Sequence, residues 1–93
     1  MDNTQGLELG AVLISRSGRD KGRRFVLIEI VDHEYLLYAD GDLRRMEKPK
    51  KKKVRHVAVT REILEDIREV LQRGELPKNE ELRRALAQDH EED

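Results

Sequence analysis

The hydrophobic positions of the chain form a series of short runs, followed by a longer stretch with helical spacing. The first run, residues 11–14, is separated from a second run, residues 25–31, by a polar segment that contains two glycines. Two short apolar runs joined in this way predict a β-hairpin, with strands at about 9–15 and 25–31. In the second strand Val26, Ile28 and Ile30 share one face, which leaves Leu27 and Val31 on the other.

Three further strands are predicted downstream, at residues 35–39, 43–46 and 54–59. Asp40-Gly41 between strand-like runs is a strong hairpin signal. Residues 47–53, which include Pro49 and four consecutive lysines, are predicted to be a loop. Five short strands in about fifty residues, with no room for crossover helices, predict a small SH3-like β-barrel, most simply an up-and-down meander.

The periodicity changes to that of a helix at Thr60, a residue that can cap a helix N-terminus. Apolar side chains then recur at spacings of three and four, and Gly74 and Pro77 predict the helix end. The stripe comprises Ile63, Leu64, Ile67, Val70 and Leu71. A second helix is predicted from Asn79, with Leu82, Ala85 and Leu86 on its apolar face.

The predicted fold class is therefore α+β, a five-stranded SH3-like barrel with two C-terminal helices packed on it. The helical stripe needs burial, and we expect it to cover the barrel over Leu27 and Val31; a dimer interface is the competing explanation, with a monomer favoured. The expected organisation is a disordered lead-in at 1–7, the barrel at 8–60, a helical segment at 61–88 and an acidic disordered tail at 89–93.

Composition limits the functions open to the chain. Ninety-three residues, 37% hydrophobic and 42% charged, fit one domain with a small core. There is no cysteine, so a disulfide framework and cysteine-based metal sites are excluded. No apolar run reaches the length of a membrane span and the start lacks signal-peptide features, so we expect a cytoplasmic protein without membrane contact.

The net charge of −1 hides an uneven distribution. Residues 1–60 carry 13 lysines and arginines against 9 acidic residues, whereas residues 61–93 carry 6 against 11. Such segregation indicates a basic module followed by an acidic segment, and a local basic surface is what meets phosphate.

Two segments concentrate the basic residues. The first, residues 15–24, holds five cations opposed only by Asp20, and Gly18 and Gly22 are expected to bend it, since glycine reaches positive φ without steric cost. The second, residues 44–55, holds eight cations. Strand parity in a meander places the first loop and the lysine run at opposite ends of the barrel, bridged by Arg44, Arg45 and Arg55. Each segment has an alternative interpretation as a solvated surface loop.

Catalysis finds little support in the sequence. His33, His56 and His90 fall in a turn, a strand and the tail, without the spacing of a metal site, so we expect no catalytic residues, metal or cofactor. The segment 18–23 lacks the Gly-Lys-Ser/Thr ending of a phosphate-binding loop, which argues against nucleotide hydrolysis. The three aromatic residues lie in predicted strands and favour a core role over a base-stacking platform.

The first segment resembles a KOW motif. The resemblance comprises Gly10-Ala11-Val12, Ser15, Gly18-x-Asp20-Lys21-Gly22 and the apolar strand that follows. The continuation through 35–45 is similar to the large-subunit ribosomal protein called "L fourteen-e" in archaea and eukaryotes. Closer still are short bacterial KOW-domain RNA-binding proteins, in which GRDKGR, ADG, a Pro-Lys run and a helical C-terminus occur together.

The resemblance implies an SH3-like barrel whose partner is RNA, with ribosomal RNA the leading candidate and ribosomal proteins as further partners. It places the contacts on the loop that holds Arg19, Lys21, Arg23 and Arg24. Phe25 departs from the motif, because many KOW motifs have glycine there. Together with the charge pattern, the candidate RNA-binding residues are Arg16, Arg19, Lys21, Arg23, Arg24, Arg44, Arg45, Lys50, Lys51, Lys52, Lys53 and Arg55.

The leading hypothesis is therefore a non-catalytic RNA-binding protein that associates with the ribosome. A second hypothesis is a protein-docking adaptor of the ribosome or the transcription machinery that uses the barrel. A third is autoinhibition, in which residues 75–93 fold against the basic surface.

Overall fold

A computed structural model of the chain describes residues 3–88. Within them, five antiparallel strands form one sheet, in the order β4-β3-β2-β1-β5, and two helices follow. The strands are β1 (Ala11–Ser15), β2 (Arg24–Ile30), β3 (Tyr35–Ala39), β4 (Lys50–Lys53) and β5 (Val57–Ile63); the helices are α1 (Glu65–Gln72) and α2 (Asn79–Gln88). The chain thus has an α+β fold. In the described residues the outer strands β4 and β5 share no hydrogen-bonded ladder, so the sheet is not closed.

The sheet buries apolar side chains on both faces. The inner cluster joins β1, β2, β3 and β5 and includes the turn between β4 and β5; its members are Ala11, Leu13, Phe25, Leu27, Leu36, Tyr38, Val54 and Val57. Phe25 stacks on Tyr38 with the ring centroids 4.0 Å apart. Because successive residues of a strand point to opposite faces, the placement of Phe25 inside also places Leu27 inside.

The helices cover the outer face of the sheet. Ile67 of α1 and Leu82 and Leu86 of α2 pack against Val12, Val26, Ile28 and Ala39. The expectation that the helices lie over Leu27 and Val31 is therefore wrong. Leu27 belongs to the inner cluster and Val31 is exposed, so the two faces of β2 are the reverse of those predicted.

The lysine run is a strand, and the predicted fourth strand is not. Residues 43–46 form bends and a turn, while Lys50–Lys53 pair with β3 in the register Tyr35↔Lys53 to Tyr38↔Lys50. The reason lies in the Asp40-Gly41 turn. The Asp40 carboxylate accepts hydrogen bonds from the backbone amides of Asp42 and Arg44, and Asn79 accepts one from the amide of Met46. These amides are satisfied without a strand partner.

Gly41 also contacts the first residue of α2, Asn79. A Cβ at this position would lie 2.2 Å from the carbonyl oxygen of Asn79, and the φ of Gly41 is +79°. Arg83 of α2 donates a hydrogen bond to the Gly41 carbonyl at 2.6 Å. The turn and the first residue of α2 therefore contact each other through bare backbone.

The boundaries at both ends of the sheet differ from those predicted. Strand β5 continues to Ile63, so Thr60 caps no helix; its hydroxyl donates to the Val12 carbonyl at 2.8 Å beside a bulge in the β1–β5 register. In the expected lead-in, Thr4 is buried and its amide donates to the His33 carbonyl. Residues 3–7 are thus attached to the β2–β3 turn, whereas the acidic tail at 89–93 lies outside the described residues.

Candidate nucleic-acid interface

The β1–β2 loop, residues 16–23, is a compact turn. It contains a short 3-10 segment, Gly18–Asp20, and both Gly18 and Gly22 have positive φ, +74° and +87°. Ser15 closes the base of the loop, because its amide donates to the Arg23 carbonyl and its own carbonyl accepts from the Gly22 amide at 2.8 Å. Glycine is the residue that adopts these dihedrals without strain.

The carboxylate of Asp20 anchors this loop to the rest of the fold. It is 1% exposed, and Oδ2 accepts hydrogen bonds from the Tyr38 hydroxyl at 2.7 Å and from Arg44 Nε at 2.9 Å. Arg44 Nη2 donates to the other oxygen, Oδ1, at 3.0 Å. The bidentate pair and the phenol fix the loop to β3 and to the segment that follows it.

The pKa values of this cluster reflect the same contacts. Burial alone would raise the pKa of Asp20, but hydrogen bonds from Arg44 and Tyr38 and the charges of Arg44 and Lys52 outweigh it, so that pKa is lowered. Burial raises the pKa of Tyr38 to about 12, and the hydrogen bond to Asp20 adds to the rise. The Asp20 hydrogen bond raises the pKa of Arg44. The cluster is therefore ionised as Asp⁻ and Arg⁺ with a neutral phenol at neutral pH.

Lys52 of β4 also contacts the β1–β2 loop. It is 8% exposed, and its ammonium donates to the Ser17 carbonyl at 2.9 Å. Burial lowers the pKa of Lys52, with Asp20 opposing the effect and Lys50 and Arg44 adding to it. The prediction that the lysine run lies at the opposite end from the β1–β2 loop is wrong, because the run is a strand whose inward side chain reaches that loop.

Arg23 is held by the Asp40-Gly41 turn. Its Nη2 donates to Asp40 at 2.9 Å and lies 3.5 Å from Asp42. The hydrogen bond from Arg23 to Asp40 is the main cause of a raised pKa at Arg23. Its side chain therefore links the β1–β2 loop to the turn after β3.

Two more candidate cations have partners inside the protein. Arg24 donates to the carbonyl of Leu86 in α2 at 3.1 Å and lies 3.4 Å from Glu62. Arg45 lies 3.7 Å from Glu47, both exposed. The structure thus places Arg23, Arg24, Arg44 and Lys52 in structural contacts, and Arg45 in a weak surface pair.

The remaining candidates point away from the inner cluster, except Lys50, which lies on the inner side of β4. Within residues 3–88, none of these seven side chains forms an ion pair: Arg16, Arg19, Lys21, Lys50, Lys51, Lys53 and Arg55. Arg16, Arg19 and Lys21 are exposed on the β1–β2 loop. The segment that carries Arg55 adjoins it, because the Arg16 amide donates to the His56 carbonyl at 2.8 Å.

The outer side of β4 presents a second basic surface, which includes an aromatic ring. Lys51 Nζ lies 4.8 Å from the ring centroid of Tyr35, and Lys53 Nζ lies 6.0 Å from it. Tyr35 is half-buried, unlike Phe25 and Tyr38, which have no exposed surface. Sequence reasoning missed this arrangement, which depends on the pairing of β4 with β3, and the anchoring role of Asp20, which depends on its contacts with Tyr38 and Arg44.

The described residues contain no cluster of three or more His, Cys, Asp or Glu side chains that would hold a metal ion. In the same part of the chain, neither helix has the length and apolar character to cross a membrane. No protein-family model matches the chain, and the search of curated proteins found no match.

Proposed function

We propose that the protein is a non-catalytic RNA-binding protein that recognises structured RNA, with ribosomal RNA the leading candidate, and that it associates with the ribosome. One observation carries the proposal. The single carboxylate of the β1–β2 loop, Asp20, is buried and neutralised by Arg44, while its neighbours Arg19 and Lys21 extend into solvent. The loop therefore offers cations from a fixed backbone.

The exposed cations favour contacts with RNA phosphates over sequence-specific contacts with bases. The loop has no aromatic side chain, and its exposed side chains are arginine and lysine, which attract phosphates regardless of sequence. Lys51 and Lys53 of the edge strand β4, with Tyr35 of the adjacent β3, supply a second basic surface. Such an arrangement suits recognition of a folded RNA by its shape.

We also propose that the sheet is an SH3-like barrel. We assign the sheet to the SH3-like barrels of KOW proteins, on the GRDKGR and ADG motifs and on the inner cluster. That cluster gathers side chains from β1, β2 and β3 together with Val54 and Val57, which bracket the turn between the two outer strands. This cluster supports a sheet that curves around one core, although its outer strands β4 and β5 do not pair with each other.

A salt titration of RNA binding tests the proposal. The probe is a fluorescently labelled hairpin from ribosomal RNA, and the variant is Arg19→Gln with Lys21→Gln. Because each lost phosphate contact reduces the slope of log K against log salt by roughly 0.7–0.9, the double variant should flatten it by about 1.4–1.8. Arg61→Gln with Lys78→Gln removes the same charge from exposed positions elsewhere and should leave the slope unchanged. An equal slope for both double variants would refute the proposed interface.

A further inference from the structure

A groove runs between the end of β5, α1 and α2, with a volume of about 400 Å³. Its floor is aliphatic and is formed by Ile63, Leu64, Ile67, Val70 and Ala85. Only Ile67 of these is fully buried; the other four are half-exposed. The apolar residues between the end of β5 and the two helices are thus only partly buried by the packing of the helices on the sheet.

The rim of the groove is acidic. Four carboxylates line it, Glu62, Glu65, Asp66 and Glu81, against one cation, Arg84. Two of the four are in ion pairs, because Glu62 lies 3.4 Å from Arg24 and Glu65 lies 3.1 Å from Arg68. Arg84 pairs with Glu80 at 3.3 Å, so its charge is already balanced outside the rim. Asp66 is exposed and forms no ion pair within residues 3–88.

We propose that this groove binds an amphipathic protein segment that combines aliphatic side chains with lysine or arginine. The aliphatic side chains would fill the floor, and the cations would meet the rim carboxylates that no internal cation pairs with in residues 3–88, Asp66 and Glu81. The inference is independent of RNA binding.

Two other occupants fit the groove less well. RNA is disfavoured because the rim would repel its phosphates. A second copy of the chain would have to offer its exposed basic loop, and residues 16–23 include no aliphatic side chain for the floor.

The test measures binding of the full chain to a labelled helical peptide of leucine and lysine by fluorescence anisotropy. Two matched charge reversals on α1 discriminate the groove from general acidity: Asp66 lines it and Glu69, which is also exposed, does not. Asp66→Lys should weaken binding roughly tenfold, and Glu69→Lys by less than about twofold. Val70→Gln, which makes the floor polar, should also weaken binding roughly tenfold.

Three results would overturn the inference. Equal weakening by Asp66→Lys and Glu69→Lys would show attraction to overall charge. Undiminished binding of a peptide with serine in place of leucine, or by a folded Val70→Gln variant, would show that the floor is not used. Self-association of the chain in sedimentation equilibrium that is abolished by Val70→Gln would assign the groove to a second copy.

Discussion

The β1–β2 loop and strand β4 are the two most basic parts of the chain, and they differ in which of their charged side chains are buried. In the loop, the acidic residue is buried and the cations beside it are exposed. In β4, four identical residues are divided between the two faces of the sheet. Lys52 and Lys50 lie opposite Leu36 and Tyr38 of the inner cluster, whereas Lys51 and Lys53 lie opposite outward-facing residues.

The difference shows that the net charge of a sequence segment does not give the charge of the surface that the folded segment exposes. A strand has a period of two, so it turns a uniform lysine run into alternating structural and outward side chains. A loop has no such period, and in the β1–β2 loop the buried residue is Asp20, whose carboxylate accepts hydrogen bonds from Tyr38 and Arg44. The comparison predicts graded effects when either segment is altered.

The largest effect is expected for Asp20→Asn. Removing one partner of a buried, bidentate ion pair typically costs about 3–5 kcal/mol in the free energy of unfolding, because the remaining charge loses its compensation. Denaturant unfolding at neutral pH measures this loss. Asp42→Asn, whose side chain is 71% exposed and lies 3.5 Å from Arg23, should change the free energy of unfolding by less than about 1 kcal/mol.

The pH dependence sharpens this prediction. The folded-state pKa of Asp20 lies below its ordinary value of 3.8, so its stabilisation is complete above that pH and is lost as the pH falls through the folded-state pKa. The difference in stability between wild type and Asp20→Asn should therefore narrow in acid. A constant difference from neutral pH to about pH 2 would contradict the ionised Asp20–Arg44 pair.

An intermediate effect is expected within β4. Lys52→Met removes the ammonium that donates to the part-buried Ser17 carbonyl, which keeps its hydrogen bond from the Ser15 hydroxyl, and the loss of this charged hydrogen bond should cost about 1–3 kcal/mol. Lys51→Met should cost less than about 1 kcal/mol. RNA binding should show the opposite order, with a flatter salt slope for Lys51→Met alone. Equal stability of the two variants would contradict the division of β4 into inner and outer lysines.

The smallest effect concerns Tyr35. Replacing it with leucine removes the interaction of its ring with Lys51, worth about 0.5–1 kcal/mol at an exposed site. A double-mutant cycle with Lys51→Met isolates that coupling from the burial of the ring. The same cycle with Lys50→Met, on the inner side of β4, should give no coupling.

Much of the framework is predictable from local patterns. The structure confirms the second and third strands and the start of the second helix at Asn79, because alternating apolar residues and helix-start signals are local features. The end of α1 before Gly74 follows from a positive φ that glycine alone accepts readily.

The errors have a common physical cause. Lysine has low β propensity and four lysines show no alternation, so nothing local indicates that residues 50–53 form a strand. The burial of Asp20 depends on Tyr38 and Arg44, which lie 18 and 24 positions away. The hydroxyl of Thr60 predicts a helix start there because threonine is a good cap, whereas pairing with β1 keeps residues 60–63 in the sheet.

The position of β4 at the sheet edge has one more consequence, for behaviour at high concentration. An edge strand exposes unpaired backbone groups, to which a strand of another molecule can add, the first step of fibril growth. A second β4 in that place would stack one ladder of ammonium groups beside another, and the repulsion would oppose growth. The lysine edge thereby protects the sheet against aggregation, and the chain should withstand crowding better at low than at high ionic strength.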